Sequence, residues 1–222
     1  LQIMTARRGQ MFLGMKGGHN NESHNHNDVG SFVVYNNGKP ILVDPGVGEY
    51  TSKTFSKERY TIWTMQSAYH NLPQVSGFDQ HEGRKYAAHD VKYSKGMLSL
   101  DLRDCYPSDA GIKKWNRTVA INKKGVVTLT DAYLLEKVVS PVREMFVSAV
   151  CPVLDEQKGV ISLGSCSLSY PKSKCDVDIQ PLSDRLDPML RSMWPEGLWR
   201  IVITSKNMST NDKLSFRLTP SN

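Results

Sequence analysis

The densest group of polar side chains in this 222-residue sequence occupies residues 17–28 and contains His24, His26 and Asp28. If the segment is extended, these three side chains point to one face, because side chains alternate along a strand. Two imidazoles on one face can bind a metal ion, or one can act as a base while the other is a ligand. A zinc site needs a further ligand, often a carboxylate, and a catalytic site usually keeps one open position.

Two residues further along the sequence offer additional ligands. Asp44 ends an apolar run, where a carboxylate is costly unless it is paired, hydrogen-bonded or bound to a metal. Asp44 also begins an Asp-Pro-Gly sequence, which is common turn chemistry. His70 follows Tyr69, and a single histidine is commonly a structural residue with satisfied hydrogen bonds. Taken one at a time, these residues leave both the metal-binding and the structural interpretation open.

The elements that must position these residues are short apolar runs separated by turn residues. Three turns, Asn36-Asn37-Gly38, Ser94-Lys95-Gly96 and Lys123-Lys124-Gly125, each separate two such runs, as in β-hairpins. Alternation of polar and apolar residues in later runs is typical of strands with one buried face. The predicted strands are 31–35, 39–43, 91–93, 97–102, 115–122, 126–131, 142–150, 160–163, 166–170, 177–182, 198–204 and 213–218.

This strand pattern predicts an all-β fold, an antiparallel β-sandwich with two large packed sheets. Residues 52–68 lack strict alternation and are predicted to form a short helix or an ordered loop. No internal repeat or linker-like stretch divides the sequence, so a single domain over residues 1–222 is predicted.

The chain is basic, with a formal net charge of +6. A basic surface favours anionic partners such as nucleic acid, acidic polysaccharide or anionic lipid. The charges are scattered, and neither an RNA-binding aromatic motif nor a recognition-helix pattern is present, so no nucleic acid partner is expected. No apolar run approaches the ~20 residues needed to span a bilayer, so no membrane span is expected. The sequence does not indicate an oligomeric state.

The four cysteines are Cys105, Cys151, Cys166 and Cys175, and none forms a Cys-x-x-Cys motif. A zinc ribbon and a thioredoxin-type redox pair are therefore not indicated. Cys151 lies in an apolar run and is predicted to be a small buried hydrophobic residue. Cys166 and Cys175 could form a disulfide across a hairpin in an oxidising compartment, and the sequence leaves the redox state of all four cysteines open.

Short motifs follow one another in a specific order over about residues 10–136. They are His24-Asn25-His26-Asn27-Asp28-Val29-Gly30-Ser31-Phe32, Asn37-Gly38-Lys39-Pro40, Val43-Asp44-Pro45-Gly46, Tyr50, Tyr69-His70-Asn71, Trp115-Asn116-Arg117 and Thr130-Asp131. Together they resemble the signature of the heparinase II/III family of polysaccharide lyases, which includes heparin and heparan lyases and related alginate lyases. The order of these motifs is far more specific than a lone His-x-His pair.

The resemblance implies roles for individual residues. His26, Asp44 and His70 match the family's metal ligands, whose ion is usually assigned as Zn²⁺, with another divalent metal as the alternative. His24 matches an active-site histidine that faces the sugar. Tyr60 lies where the family often has a tyrosine near the substrate. We expect the metal mainly to fix the loop that holds His24, because its ligands would pin two strands and a following segment together.

The resemblance also implies a reaction and partners. Lyases of this family remove the proton at C5 of a uronic acid and expel the 4-linked oxygen, so an acidic uronate polysaccharide or oligosaccharide is the expected substrate. The family places a helical toroid domain before the sandwich, and no such domain is present in this sequence. We therefore expect a C-terminal fragment that works with its own N-terminal helical domain and is inactive alone. A periplasmic or secreted location is expected, with the export signal outside this sequence.

A non-catalytic glycan-binding β-sandwich is the main alternative function. Tryptophan rings can stack on sugar faces, although most tryptophans belong to a protein core. The candidate platforms are Trp63, Trp115, Trp194 and Trp199.

A cupin-like metal oxygenase and a glycoside hydrolase are weaker alternatives. The cupin motif would use His24 and His26, but Gly30 and Ser31 occupy the place of its expected glutamate. A glycoside hydrolase needs two converging carboxylates. The available acids, which form no recognisable pattern, are Glu22, Asp28 and Glu49.

Overall fold

Alternating buried and exposed side chains organise the chain into strands. In the strand Ile112–Ile121, Val119 is fully buried whereas its neighbour Thr118 is partly exposed. Such alternation gives each sheet one face that packs on a core. The computed structural model describes residues 2–221, which form two large antiparallel sheets packed as a sandwich. The predicted all-β sandwich is confirmed.

The strands are named here in chain order. They are β1 (Ile3–Arg8), β2 (Met11–Lys16), β3 (His19–Asn20), β4 (Phe32–Asn36), β5 (Lys39–Leu42), β6 (Pro73–Gln74), β7 (Gly83–Ala87), β8 (His89–Ser94), β9 (Met97–Asp101), β10 (Ile112–Ile121), β11 (Val127–Leu135), β12 (Arg143–Ser148), β13 (Val153–Asp155), β14 (Val160–Leu163), β15 (Cys166–Ser169), β16 (Cys175–Pro181), β17 (Trp199–Ser205) and β18 (Asn211–Pro220).

Two eight-stranded sheets and one small sheet use all of these strands. The first sheet has the order β1-β2-β4-β5-β12-β17-β16, with β6 also paired to β12. The second sheet has the order β13-β14-β15-β18-β11-β10-β9-β8, while β3 and β7 pair separately. Because β5 and β12 are neighbours in the first sheet, the segment that follows β5 lies against the middle of that sheet.

The three predicted hairpins are present. The pairs β4–β5, β8–β9 and β10–β11 are antiparallel neighbours joined by the predicted turns. In the first turn, Asn37 has φ 50 and Gly38 has φ 74. Asparagine and glycine tolerate this left-handed region better than other residues do, which is why the turn forms at this sequence.

The main core lies between the two large sheets. Phe146 of β12 and Phe216 of β18 meet across it, with their ring centroids 5.3 Å apart. Phe32 of β4 also packs against Phe146, at 6.4 Å between centroids. Burial of each such side chain contributes about 1.5–3 kcal/mol to folding, so these contacts hold the sheets face to face.

Three charged residues lie inside this core. Arg117 of β10, Asp131 of β11 and Glu144 of β12 are each 0% exposed. Arg117 donates from Nε and Nη2 to the Asp131 carboxylate, at 3.0 and 2.7 Å, and Nη2 also donates to Glu144 at 2.8 Å. Since Glu144 belongs to the first sheet and the other two residues to the second, this cluster, named the buried triad below, links the sheets.

A run of four 3₁₀ helices, named the 3₁₀ segment below, precedes β6. Its helices are Ser52–Phe55, Arg59–Thr61, Trp63–Met65 and Ser67–Tyr69. The prediction of a short helix or ordered loop over residues 52–68 is thereby confirmed as ordered structure. A second hydrophobic cluster, which includes Tyr69 and Val147, packs this segment against the first sheet.

Other helices are short. Three further 3₁₀ helices span Arg103–Cys105, Ser108–Ala110 and Ser183–Arg185, and one α-helix, α1, spans Pro188–Met193. Within residues 2–221, no helix has the length and apolar character required to cross a bilayer. Asp187 caps α1 by accepting a hydrogen bond from the Leu190 backbone N–H at 2.8 Å.

All four cysteines are free thiols. Cys105, Cys166 and Cys175 are buried, but Cys151 is exposed, so its predicted burial is wrong. Cys151 follows the end of β12, where the chain has left the sheet and its core. Cys166 and Cys175 begin strands of different sheets and do not face each other across a hairpin.

Candidate metal centre and adjoining groove

Three of the predicted ligands converge. His26 lies in the loop between β3 and β4, Asp44 follows β5, and His70 directly follows the 3₁₀ segment. One potential ligand atom from each residue lies within 4.8 Å of the corresponding atoms of the other two. Among residues 2–221, no second group of three or more such side chains has this spacing.

The spacing of these ligand atoms suits a shared metal ion. His26 Nδ1 lies 3.2 Å from His70 Nε2, which lies 3.2 Å from Asp44 Oδ2. His26 Nδ1 is 4.0 Å from Asp44 Oδ1. Ligands around a tetrahedral ion with bonds of ~2.0 Å are about 3.3 Å apart, so two imidazoles and one carboxylate at these distances fit an ion such as Zn²⁺.

A hydrogen bond fixes the imidazole ring of His70. Its Nδ1 lies 2.9 Å from the carbonyl oxygen of Gln66. Because a carbonyl oxygen can only accept a hydrogen bond, Nδ1 is the ring nitrogen that carries the hydrogen. Nε2 is therefore directed at His26 and Asp44. A carbonyl that accepts the other N–H commonly orients a metal-binding histidine in this way.

The loop that carries His26 is attached to the 3₁₀ segment on both sides of that residue. The Asn27 backbone N–H donates to the carbonyl of Met65 at 2.9 Å. Arg59 donates from Nε and Nη2 to the carbonyl of Asn25, at 3.0 and 2.9 Å. These bonds hold the neighbours of His26 in place, and its own side chain is buried.

Asp44 forms the turn contact that its Asp-Pro-Gly sequence indicates and also faces a histidine of the cluster. Its Oδ1 accepts a hydrogen bond from the backbone N–H of Gly46 at 2.7 Å, as in a turn, while Oδ2 faces His70. Gly46 has φ 80, a conformation that favours glycine. The Asp44 side chain is 34% exposed, whereas that of His70 is 0% exposed, so the cluster opens to solvent on the Asp44 side.

Asn71 joins the strands beside the cluster. Its Nδ2 donates to the carbonyls of Phe32 and Val43, at 2.6 and 3.2 Å. Its Oδ1 accepts from the backbone N–H of Val147 at 2.8 Å. One fully buried amide thus connects β4, the end of β5 and β12 at a position directly adjacent to His70.

Gln80 supports the His26 loop from another direction. Its Oε1 accepts from Asn20 at 3.0 Å, and its Nε2 donates to the carbonyl of Val29 at 2.8 Å. Its backbone carbonyl also accepts from the Asn27 side chain at 3.3 Å. No sequence pattern indicates this role, because the partners of Gln80 are distant in sequence and include backbone groups.

Burial and charge act differently on the three ligand candidates. Burial lowers the pKa of His26 to about 4, which favours a neutral imidazole with a free lone pair. Burial also disfavours the charged form of His70, but the charge and hydrogen bond of Asp44 outweigh it and raise the pKa of His70. Burial alone would raise the pKa of Asp44, but the charge and hydrogen bond of His70 reverse this and lower it.

His24 does not share a face with His26. The extended conformation assumed for residues 17–28 is wrong, because His24 has φ 56 and lies in a turn that interrupts the alternation. Its side chain is exposed while that of His26 is buried. Asp28 forms an ion pair with Lys16.

Tyr60 lies in a polar groove of ≈ 310 Å³ whose lining also includes Gln66 and His81. The Tyr60 hydroxyl accepts a hydrogen bond from the Asn25 side chain at 3.2 Å. Gln66 connects this groove to the ligand cluster, because its side chain donates to the Tyr60 carbonyl at 3.0 Å and its own carbonyl orients His70. His81, which no sequence motif indicated, lines this groove together with the acids Asp79 and Glu82.

A family model matches this chain. It is described as heparinase II/III-like, C-terminal, and it matches residues 1–149 of the 222. The chain belongs to the heparinase II/III-like family. The resemblance inferred from the motifs is confirmed, and the matched range contains every predicted ligand and catalytic residue. A comparison with curated proteins gives no match.

Solved structures of lyases share the fold of this heparinase II/III-like chain. Heparan sulfate lyase HepC from Pedobacter heparinus has a TM-score of 0.70 and 15% identity, with 96% of this chain and 33% of that chain covered. A structure of heparinase III has a TM-score of 0.67 and 15% identity, with coverage of 99% and 35%. The heparinase III-BT4657 gene product has a TM-score of 0.65 and 13% identity, with coverage of 97% and 34%. The chain thus spans about a third of the length of these structures.

The tryptophans of this heparinase II/III-like chain differ in their surroundings. Trp115 is fully buried and stacks on Tyr133 with ring centroids 4.8 Å apart, so it is not a sugar platform. Trp63, Trp194 and Trp199 are partly exposed. The indole N–H groups of Trp63 and Trp194 donate to backbone carbonyls at 3.1 and 2.9 Å, which fixes both rings on the protein.

The geometry does not favour a cupin site. A cupin would use both His24 and His26 as ligands, whereas the observed cluster combines His26 with Asp44 and His70. His24 is exposed and outside this cluster.

Proposed function

We propose that this chain is the C-terminal β-sandwich of a polysaccharide lyase that cleaves uronic-acid-containing glycans by β-elimination. The observation that carries the proposal is the convergence of His26, Asp44 and His70 beside the loop of His24, in a chain of the heparinase II/III-like family. One of the similar solved structures is a heparan sulfate lyase, which makes heparan sulfate the first substrate to test. Alginate is the second.

His26, Asp44 and His70 are the proposed ligands of one Zn²⁺ ion or of another divalent metal ion. When bound, the ion supplies a fixed positive charge and a link between three segments of the chain. Gln66 orients His70 for this role, and the Gly46 N–H orients Asp44. The exposed side of Asp44 leaves space for a further ligand such as water. We assign the metal mainly to fixing the His24 loop.

His24 and Tyr60 are the proposed proton-transfer groups. β-Elimination removes the proton at C5 of the uronic acid and delivers a proton to the leaving 4-linked oxygen. The exposed imidazole of His24 can accept or donate a proton. The Tyr60 hydroxyl accepts from Asn25, so its own hydrogen stays available to a sugar in the groove.

The substrate and partners follow from the same proposal. The net charge of +6 favours approach of an acidic uronate polysaccharide or oligosaccharide. The negative charge of the uronate carboxylate must be offset while the base acts. We assign that task to the protein's own N-terminal helical domain, because this chain spans only about a third of the solved lyases. The isolated chain would then have little activity, and a protein acting on such glycans would be periplasmic or secreted.

Absorbance of the unsaturated uronate product in the ultraviolet tests the function. The chain and the longer protein that contains it are each supplied with Zn²⁺ and incubated with heparan sulfate, alginate or a neutral glycan. We expect the absorbance to rise when the longer protein is incubated with an acidic glycan. The rate of this rise should fall about 100-fold in the His24→Ala or Tyr60→Phe variant. New reducing ends without the unsaturated product would indicate hydrolysis and overturn the proposal. Binding without cleavage by the longer protein would instead identify a glycan-binding module.

A further inference from the structure

Arg117 reaches from the buried triad to the two segments that carry the histidine ligands. Its Nη1 donates to the carbonyl of Asn71 at 2.7 Å and to that of Gly30 at 3.3 Å. Asn71 directly follows His70, and Gly30 lies at the end of the loop that carries His26. One guanidinium group therefore bonds to the backbone next to His70 and to the end of the loop that carries His26.

We propose that Arg117 is a positioning residue for the metal centre, which sets the separation of His26 and His70 by holding the backbone carbonyls of Gly30 and Asn71. The inference rests on the metal site of the proposed function and not on lyase activity. It adds a role for the Trp115-Asn116-Arg117 and Thr130-Asp131 motifs, which neither the ligand set nor the proton-transfer groups use.

The geometry of the guanidinium group explains why arginine suits this position. Arginine has five N–H donors in a rigid planar arrangement. In Arg117, Nε and Nη2 bond to Asp131 and Glu144, while Nη1 bonds to the two carbonyls. Every donor therefore has an acceptor. A lysine ammonium at this position could not hold acceptors in all of these directions.

The acids of the triad fix the orientation of Arg117. Asp131 receives two of its N–H groups and also accepts from the Trp115 indole at 2.8 Å, so the carboxylate cannot rotate freely. Glu144 holds Nη2 from the opposite sheet. Burial and the negative charge of Asp131 raise the pKa of Glu144, which favours its neutral form.

A purely structural role for the buried triad would predict a different behaviour of variants. If the triad only stabilises the sandwich, substitutions in it should weaken metal binding no more than other core substitutions that destabilise the fold equally. A positioning role predicts weaker metal binding and altered metal geometry in a chain that is still folded. Metal affinity at matched stability therefore separates the two roles.

The experiment measures Zn²⁺ affinity and the Co²⁺ absorption spectrum of the chain. The test variants are Arg117→Lys and Glu144→Ala, and the control is Leu163→Ala, which opens a cavity in β14 of the second sheet. Circular dichroism and thermal unfolding identify the folded fraction of each variant. We expect Arg117→Lys to weaken Zn²⁺ binding about tenfold or more and to shift the Co²⁺ bands. Glu144→Ala should have a smaller effect of the same sign, and Leu163→Ala should have neither.

Each outcome decides the inference. Wild-type affinity and spectrum in folded Arg117→Lys would overturn it, and if that variant does not fold, wild-type binding by Glu144→Ala would do so. A loss of affinity in Leu163→Ala equal to that in the test variants would assign the effect to stability alone and also overturn it. An absence of metal binding in the wild type would refute the metal site itself. Normal metal results without lyase activity in the longer protein would refute only the proposed reaction.

Discussion

The Nδ1 atom of His26 lies 3.2 Å from the Nε2 atom of His70, a residue 44 positions later in the chain. Two imidazole nitrogens directed at each other repel unless a proton or a cation lies between them. The pair is buried and belongs to segments held by Gln66, Arg59 and Gln80, so it cannot simply move apart. The fold thus maintains an arrangement that a shared proton or a shared cation would stabilise.

Removal of one imidazole should abolish metal binding. His26→Ala leaves only His70 and Asp44, and we expect Zn²⁺ to no longer raise the thermal midpoint of the chain. For the wild type, Zn²⁺ at 100 times its dissociation constant should stabilise the fold by about 2.7 kcal/mol. Thermal unfolding with Zn²⁺ or with a chelator measures this difference. His89→Ala is the matched control, since His89 is exposed and lies outside the cluster. An equal response of His26→Ala and His89→Ala to Zn²⁺ would contradict the ligand assignment.

The stability of the buried triad should depend on pH through Glu144. Its pKa is raised in the folded chain, so folding keeps a proton that the unfolded chain releases above about pH 4.5. The contribution of Glu144 to the free energy of unfolding is therefore fully present below its pKa in the unfolded chain. It is lost as the pH rises towards its pKa in the folded chain, by at most about 1.4 kcal/mol per pH unit.

Glu144→Gln removes this proton linkage while keeping the size of the side chain. We expect the free energy of unfolding of the variant, relative to wild type, to increase between about pH 5 and pH 8. Urea unfolding at several pH values measures the difference. A constant difference over this range would show that Glu144 has an unperturbed pKa in the folded chain.

Cys151 should be the thiol that reacts in the native chain. It is exposed, whereas Cys105, Cys166 and Cys175 are buried. Burial also raises the pKa of Cys105 and brings that of Cys175 to about 11, which reduces the reactive thiolate. We expect mass spectrometry to find one label per native chain, on Cys151, and four labels after unfolding. The Cys151→Ser variant should take no native label, and rapid labelling of Cys166 in the wild type would argue against this packing.

Gly30 should tolerate a side chain poorly. It has φ +87, and an added Cβ would lie 2.8 Å from a methyl carbon of Leu102. We expect Gly30→Ala to destabilise the chain by about 1–2 kcal/mol from backbone strain alone, with a further loss from the close contact.

A second glycine separates the two effects. Gly38 has a similar φ of +74, but an added Cβ there meets nothing within 4 Å. Gly38→Ala therefore measures the strain alone, and chemical denaturation should show a larger loss for Gly30→Ala. Equal losses would indicate that Leu102 moves aside without cost.

Local signals explain which parts of the fold were predictable. The hairpin turns at Asn37-Gly38 and Gly96 need only their own residues, and they were predicted correctly. The strands β1 and β2 were missed because only one residue of β1 is buried, and because three successive buried residues break the alternation in β2. The α1 helix was also missed, although Asp187 followed by Pro188 is a common helix start.

The candidate site was predictable only in part. The motif order named His26, Asp44 and His70 together, but no rule of alternation could have done so, because they come from three separate segments. Alternation gave the wrong partner for His26, since the turn at His24 breaks the strand geometry. Gln80 and Arg117 act through backbone carbonyls distant in sequence, and Gln66 acts through its own backbone carbonyl, so these roles leave no pattern in the sequence.

Arg117 is synthesised after the segments that carry the ligand candidates, although it bonds to two of them. All three ligand candidates emerge from the ribosome before β10, β11 and β12, which contribute the buried triad. A nascent chain can expose both imidazoles and the carboxylate before the Arg117 bonds to the Gly30 and Asn71 carbonyls are in place. If Arg117 positions the proposed ligands, tight binding of a metal ion waits until translation has passed Glu144 and the two sheets have closed. The metal content of a preparation would therefore report the fraction of molecules that have completed folding.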